Sequence, residues 1–164
     1  MLRSLVWHAR LVEKLRAKGI QGNLFQLLEN YLQGSTLRVV INGQTSQPSP
    51  IQASVPHGSV LGPIMWNINI DDLLRQIPTI MAYIDDCPLS QSYSRSDSQR
   101  AVDEINRWLR IVVVWGELRQ VGFFPEKTQT IVISRSPAAS PAISGRLCFG
   151  GKILPLQENI KVLE

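Results

Sequence analysis

The residues best suited to chemistry lie near the middle of the chain, in Ile80-Met81-Ala82-Tyr83-Ile84-Asp85-Asp86-Cys87-Pro88-Leu89. Two adjacent carboxylates between short apolar runs repel each other and lose hydration, so the arrangement is unfavourable unless a proton or cation neutralises it. Magnesium is held through oxygen, commonly by one or two carboxylates together with substrate phosphates, which makes nucleotide chemistry the first expectation. A second acid pair, Asp71-Asp72, stands in a run of helical character flanked by Asn69 and Arg75, and reads as a solvated helix face or cap.

The elements that must position the central acids can be read from periodicity and turn residues. Apolar segments on either side of Asp85-Asp86 predict a hairpin. Ahead of it, Ser54 to Pro63 is a loop of small residues that exposes backbone amides and delivers the chain into an apolar helix beginning near Ile64. After it, Ala101, Ile105, Trp108, Val112 and Trp115 recur at helical spacing, predicting a long amphipathic helix from Asp97 to Gln120 in which the tryptophans are core anchors.

Nearer the start, Leu11, Leu15 and Lys18-Gly19 fit a short helix ended by glycine. Leu24, Leu27, Leu28, Tyr31 and Leu32 fit a second one, capped by Asn23 and stopped near Gly34. Residues 36–41 read as a strand, Asn42-Gly43 as a hairpin turn, and Pro48 and Pro50 confine the next segment to an edge or loop. Near the end, residues 128–134 read as a strand, 136–144 as a loop, and 147–154 as a hairpin about Gly150-Gly151. Irregular alternation of helices with hairpins favours an α+β arrangement with an antiparallel sheet.

An apolar content of 44% over 164 residues is enough for one domain with its own core. The formal charge of +4 permits a phosphate-bearing partner, and Arg10, Lys14, Arg16 and Lys18 on the first helix are candidates to face it. Cys87 and Cys148 have no spacing that suggests zinc or a disulfide framework, so a reduced, intracellular setting is expected, nuclear or cytoplasmic. No apolar run reaches bilayer-spanning length and no signal peptide is visible, so a soluble chain with no membrane partner is expected. His8 and His57 are isolated and read as surface or packing residues.

The order of these features is more specific than any one of them. A Pro-x-Gly-Ser loop, an apolar helix, Tyr83-Ile84-Asp85-Asp86, a long helix with spaced tryptophans, and Pro125-Glu126-Lys127-Thr128 follow one another. With Val6-Trp7-His8, Val40-Ile41-Asn42-Gly43-Gln44-Thr45-Ser46 and Val55-Pro56-His57-Gly58-Ser59-Val60-Leu61-Gly62-Pro63, the chain resembles the reverse transcriptase domain of non-LTR (LINE-type, jockey-like) retrotransposons across nearly its whole length.

The resemblance implies an α+β right-hand polymerase palm with partial fingers, its antiparallel sheet packed on helices. Within it, 1–52 would form fingers and palm helices with a hairpin, 53–134 the palm core, and 135–164 the start of the primer-grip region. Asp85 and Asp86 would be the catalytic carboxylates and metal ligands of a two-metal Mg²⁺ site. Pro56, Gly58 and Ser59 would lie against the incoming nucleotide and template, Tyr83 would pack against the primer or palm core, and Lys127 would act near the triphosphate. The implied partners are an RNA template, a DNA primer, deoxynucleoside triphosphates and the remainder of a retrotransposon polyprotein.

Departures from the family pattern accompany these matches. The family's further catalytic carboxylate is expected on a strand ahead of Val6-Trp7-His8; its later acid aligns with Ser4 and its bulky aromatic with Arg3. His57 stands where Gln is usual, Ser54 for Gly, Ile84 for Ala and Phe124 for Asn, and the family continues beyond Glu164 into primer grip and thumb. The expectation is therefore a palm fragment incomplete at both ends, from a truncated element, inactive in primer extension by itself. The alternative is a non-catalytic nucleic-acid-binding remnant or host-adopted domain that keeps the basic helices.

Overall fold

Leu11 and Leu15 on one turn of helix and Leu28 and Leu32 on another are buried together, and this pairing starts the core. The computed structural model describes residues 3–4, 7–51, 53, 59–82, 86–135 and 139–159. In chain order, β1 is Arg3–Ser4, α1 is His8–Ala17 and α2 is Gly22–Leu32. Gly19 and Gly34 each follow a helix at positive φ, 79° and 73°, where a residue with Cβ would be strained. The expected cap at Asn23 is not formed: Asn23 lies inside α2, which is entered from Gln21 with no side-chain cap bond. Leu24 and Leu27 face solvent, so the buried stripe of α2 is narrower than the sequence suggests.

The single strand expected over 36–41 is two short ones. β2 (Thr36–Leu37) pairs antiparallel with β5 (Ser49–Pro50), and β3 (Val40–Ile41) with β4 (Gln44–Thr45). Asn42 and Gly43 turn the ribbon at φ 51° and 78°, the paired left-handed conformation that matches strand twist. Every residue of these four strands is exposed, so the ribbon stands clear of the core.

α3 (Leu61–Leu74) buries Met65, Trp66, Asn69, Ile70 and Leu73 and packs on α1. α4 (Ser98–Arg119) realises the expected long helix almost to the residue and ends on Gln120 in a left-handed conformation. Trp108 and Trp115 are 4% and 5% exposed, which leaves no face for base stacking and confirms them as core residues. β6 (Val121–Gly122) turns back against α4 and pairs with β1, tying the first described residues to the end of the long helix. Gly116 makes that return possible, because a Cβ there would lie 2.7 Å from the Val121 carbonyl oxygen.

The strand expected at 128–134 does not form. Thr130 makes one isolated parallel bridge to Leu156, and Gln157 N–H donates to the Thr130 carbonyl, but no ladder continues. The expected loop after it contains a short helix, α5 (Ala139–Ile143), whose Ile143 reaches the core. The closing hairpin is present as β7 (Cys148–Phe149) and β8 (Lys152–Ile153). The result is an α+β chain whose described strands pair two by two around a helical core, with no larger sheet among the described residues. No helix among the described residues is long and apolar enough to cross a membrane.

Candidate nucleotide-transfer site

Ile80 and Leu89 form an antiparallel bridge, and Met81 N–H donates to the Pro88 carbonyl at 3.0 Å. The chain therefore reverses between these residues, as the apolar runs predict, and Asp86 falls within the reversal. Its carboxylate is exposed, and no ion pair is made to it among the described residues. Asp85 and Tyr83 lie outside the described residues, as do Pro56 and Gly58.

Ser59 is half-buried at the approach to α3, and its hydroxyl accepts from the Gly62 N–H at 3.0 Å. It thus satisfies one of the free amides at a helix start, and in this structure its side chain serves the helix. Lys127 ends a 3₁₀ turn over Pro125–Lys127 and is exposed, its Nζ 5.3 Å from the centroid of the Phe124 ring. Among the described residues, no hydrogen bond or ion pair joins Ser59, Asp86 and Lys127 to one another.

The oxygen donors suit a hard divalent cation, since an exposed carboxylate can bind hydrated magnesium without a further desolvation penalty. The described part of the donor set amounts to Asp86, and no group of three or more His, Cys, Asp or Glu converges among the described residues.

In the second acid pair, Asp72 departs from the reading as a solvated face, whereas Asp71 stays at the surface. Asp72 accepts from Lys14 Nζ and Trp115 Nε1 at 2.9 Å each through one oxygen, and from Arg119 at 2.6 Å through the other. Asp71 pairs with Lys18 at 2.6 Å and with Arg75 at 2.9 Å. Lys14 also donates to the Asn69 carbonyl. Burial works against ionisation of Asp72, yet the bonds from Lys14 and Trp115 hold its carboxyl below the usual range. Burial pulls the pKa of the Lys14 ammonium down; the bond and charge of Asp72 offset this only in part, and the nearby Arg119 charge lowers it further. The two shifts pull opposite ways for the pair; the carboxylate decides, because three donors converge on it and keep it ionised.

This network also revises the basic face of α1. Lys14 and Lys18 are consumed by Asp72 and Asp71, Arg10 donates to the Leu118 carbonyl, and Arg16 meets Glu29 at 3.5 Å and lies over Phe25. These cations hold the fold together and are not a free phosphate-binding row. A signal for this existed in the sequence: Met65, Asn69 and Asp72 fall at i, i+4 and i+7 on the buried stripe of α3, so Asp72 had to face inward.

The family model for reverse transcriptase (RNA-dependent DNA polymerase) matches residues 4–150. The chain therefore belongs to the reverse transcriptase family, and the non-LTR resemblance read from its motifs holds. It is similar to the RNA-directed DNA polymerase from mobile element jockey of Drosophila melanogaster, 27% identical over 154 residues, covering 87% of this chain and 16% of that protein. It is also similar to the probable RNA-directed DNA polymerase from transposon BS of the same organism, 28% identical over 75% of this chain and 14% of that protein. A Pol polyprotein from type-1 retrotransposable element R1 of Nasonia vitripennis is 36% identical over 48% of this chain and 23% of its own length. The chain thus spans less than a quarter of the length of these relatives.

Proposed function

We propose that this chain is part of an RNA-directed DNA polymerase of a non-LTR retrotransposon, adding deoxynucleotides to a DNA primer 3′ end on an RNA template. The match of residues 4–150 to the family carries the reading, and the chain reversal that contains Asp86 supports it. In this reading residues 1–52 form fingers and palm helices, 53–134 the palm core and 135–164 the approach to the primer grip.

Asp85 and Asp86 would supply carboxylate oxygens to two magnesium ions. The chemistry supplied there would be activation of the primer hydroxyl for in-line attack and neutralisation of the departing pyrophosphate. Pro56, Gly58 and Ser59 would let backbone come close to the nucleotide and template, Tyr83 would pack beside the primer, and the Lys127 ammonium would offer charge and a proton to the triphosphate. The remainder of a polyprotein would supply whatever else the whole enzyme contacts.

The 164-residue polypeptide taken alone is inactive in this reading, because Ser4 and Arg3 stand where the resemblance calls for an acid and a bulky aromatic. A two-metal site short of one carboxylate loses on the order of 10³-fold in rate. Primer extension by the purified chain with an RNA template, a DNA primer, deoxynucleotides and Mg²⁺ is the test. The expected result is no product together with retention of the RNA–DNA primer–template at low salt. Mg²⁺-dependent synthesis abolished by Asp85→Ala would overturn the inactivity; failure to retain primer–template at any salt would overturn the polymerase reading. A binding remnant built on the basic helices loses its main support, since Lys14 and Lys18 are already paired inside the chain.

A further inference from the structure

The turn that carries Lys127 is gripped from two sides. On one side Phe123 lies between Trp115 and Phe149, with ring centroids 6.2 and 6.3 Å away. On the other, Gly150 at the turn between β7 and β8 approaches so closely that a Cβ there would stand 3.1 Å from Pro125 Cγ, and Lys152 meets Glu126 at 3.5 Å. Lys127 N–H donates to the Phe124 carbonyl at 3.0 Å, and the Thr128 hydroxyl donates to the same carbonyl at 3.1 Å. The backbone from 124 to 128 is fixed, so the freedom left to Lys127 is that of its four-carbon stem.

That freedom is where Phe124 acts. The Lys127 ammonium stands 5.3 Å over the Phe124 ring, within the range at which a cation is drawn to the aromatic face. A ring engages the ammonium from one side and leaves N–H donors pointing outward. We infer that Phe124 is a positioning residue for Lys127: its ring docks the ammonium on a rigid turn and presents the outward N–H groups to an anionic ligand of the polyphosphate class. The ligand class rests on the polymerase reading above, whereas the docking rests on the turn alone. The asparagine that the resemblance leads one to expect at 124 has no aromatic face, so the device belongs to this sequence.

The test uses limited acetylation of the purified 164-residue chain, with the extent at Lys127 and Lys152 read by peptide mass spectrometry, with and without Mg²⁺-dTTP. Removing the ring face in Phe124→Leu raises Lys127 acetylation about two- to fivefold, the span corresponding to an exposed cation–π contact. Phe124→Tyr returns it to the wild-type extent, and Lys152 does not change. Phe124→Met, which keeps the bulk without a ring, gives the same rise and serves if the leucine variant does not fold. Equal acetylation of Lys127 in wild type and in both ringless variants overturns the inference, as does failure of Phe124→Tyr to restore it. Protection of Lys127 by Mg²⁺-dTTP in the wild type, weakened without the ring, supports the polyphosphate class. A rise without protection in any variant overturns that class and supports the docking, while the polymerase reading stands or falls on primer–template retention.

Discussion

Asp71-Asp72 and Asp85-Asp86 are the same dipeptide, and Asp72 and Asp86 differ in what the fold brings to them. Asp72 sits where three helices meet and receives Lys14, Arg119 and Trp115, while Asp71 takes Lys18 and Arg75. Asp86 lies at a chain reversal, exposed, with no protein cation paired to it among the described residues. A pair neutralised by its own protein is part of the scaffold. Asp86, which no cation among the described residues neutralises, is left available to a ligand, so the surrounding cations separate Asp72 from Asp86 where the dipeptide cannot.

The largest consequence of that contrast concerns Asp72. Asp72→Ala strands Lys14, whose side chain is 14% exposed, and should cost about 2–3 kcal/mol in urea denaturation, discounted because Asp72 itself is about a third exposed. The same carboxylate sets an acid limit. Its folded pKa is depressed, so its contribution is present above the unfolded value of about 3.9 and is lost as pH falls through the lower folded one. Wild-type stability should therefore fall more steeply than that of Asp72→Ala below about pH 4; parallel curves would dissolve the contrast.

A smaller change isolates one donor. Trp115→Phe removes the indole N–H from Asp72 while keeping a ring against Phe123, and about 1 kcal/mol of stability should go, read from the shift in thermal midpoint. The smallest effect is expected at Asp86. Asp86→Asn should change stability by less than about 0.5 kcal/mol, because an exposed carboxylate with no ion pair among the described residues contributes little to folding. A loss of about 2 kcal/mol there, on the scale of the Asp72 estimate, would mean that Asp86 is a structural residue.

Much of this frame could be read locally. α1 and α4 follow from apolar residues at helical spacing, and the Asn42-Gly43 turn from a dipeptide that accepts two left-handed residues at low cost. Residues 128–134 misled because Ile131, Val132 and Ile133 have strand composition, while pairing needs a partner that local sequence does not name; only Thr130 finds one. The helical cap at Asn23 failed for a similar reason, since the chain enters α2 two residues earlier. The acid network was harder still: Lys14, Trp115 and Arg119 lie 58, 43 and 47 residues from Asp72, and tertiary packing alone brings them together.

Those separations also impose an order on the growing polypeptide. As synthesis runs from the N-terminus, Lys14 and Lys18 are already made when Asp71 and Asp72 leave the ribosome, so α1 and α3 have charges to meet before α4 exists. Trp115 and Arg119 are made afterwards and add their donors to the same carboxylate. The acid pair is thereby met first by charges made before it, and the last long helix brings the donors that complete its set.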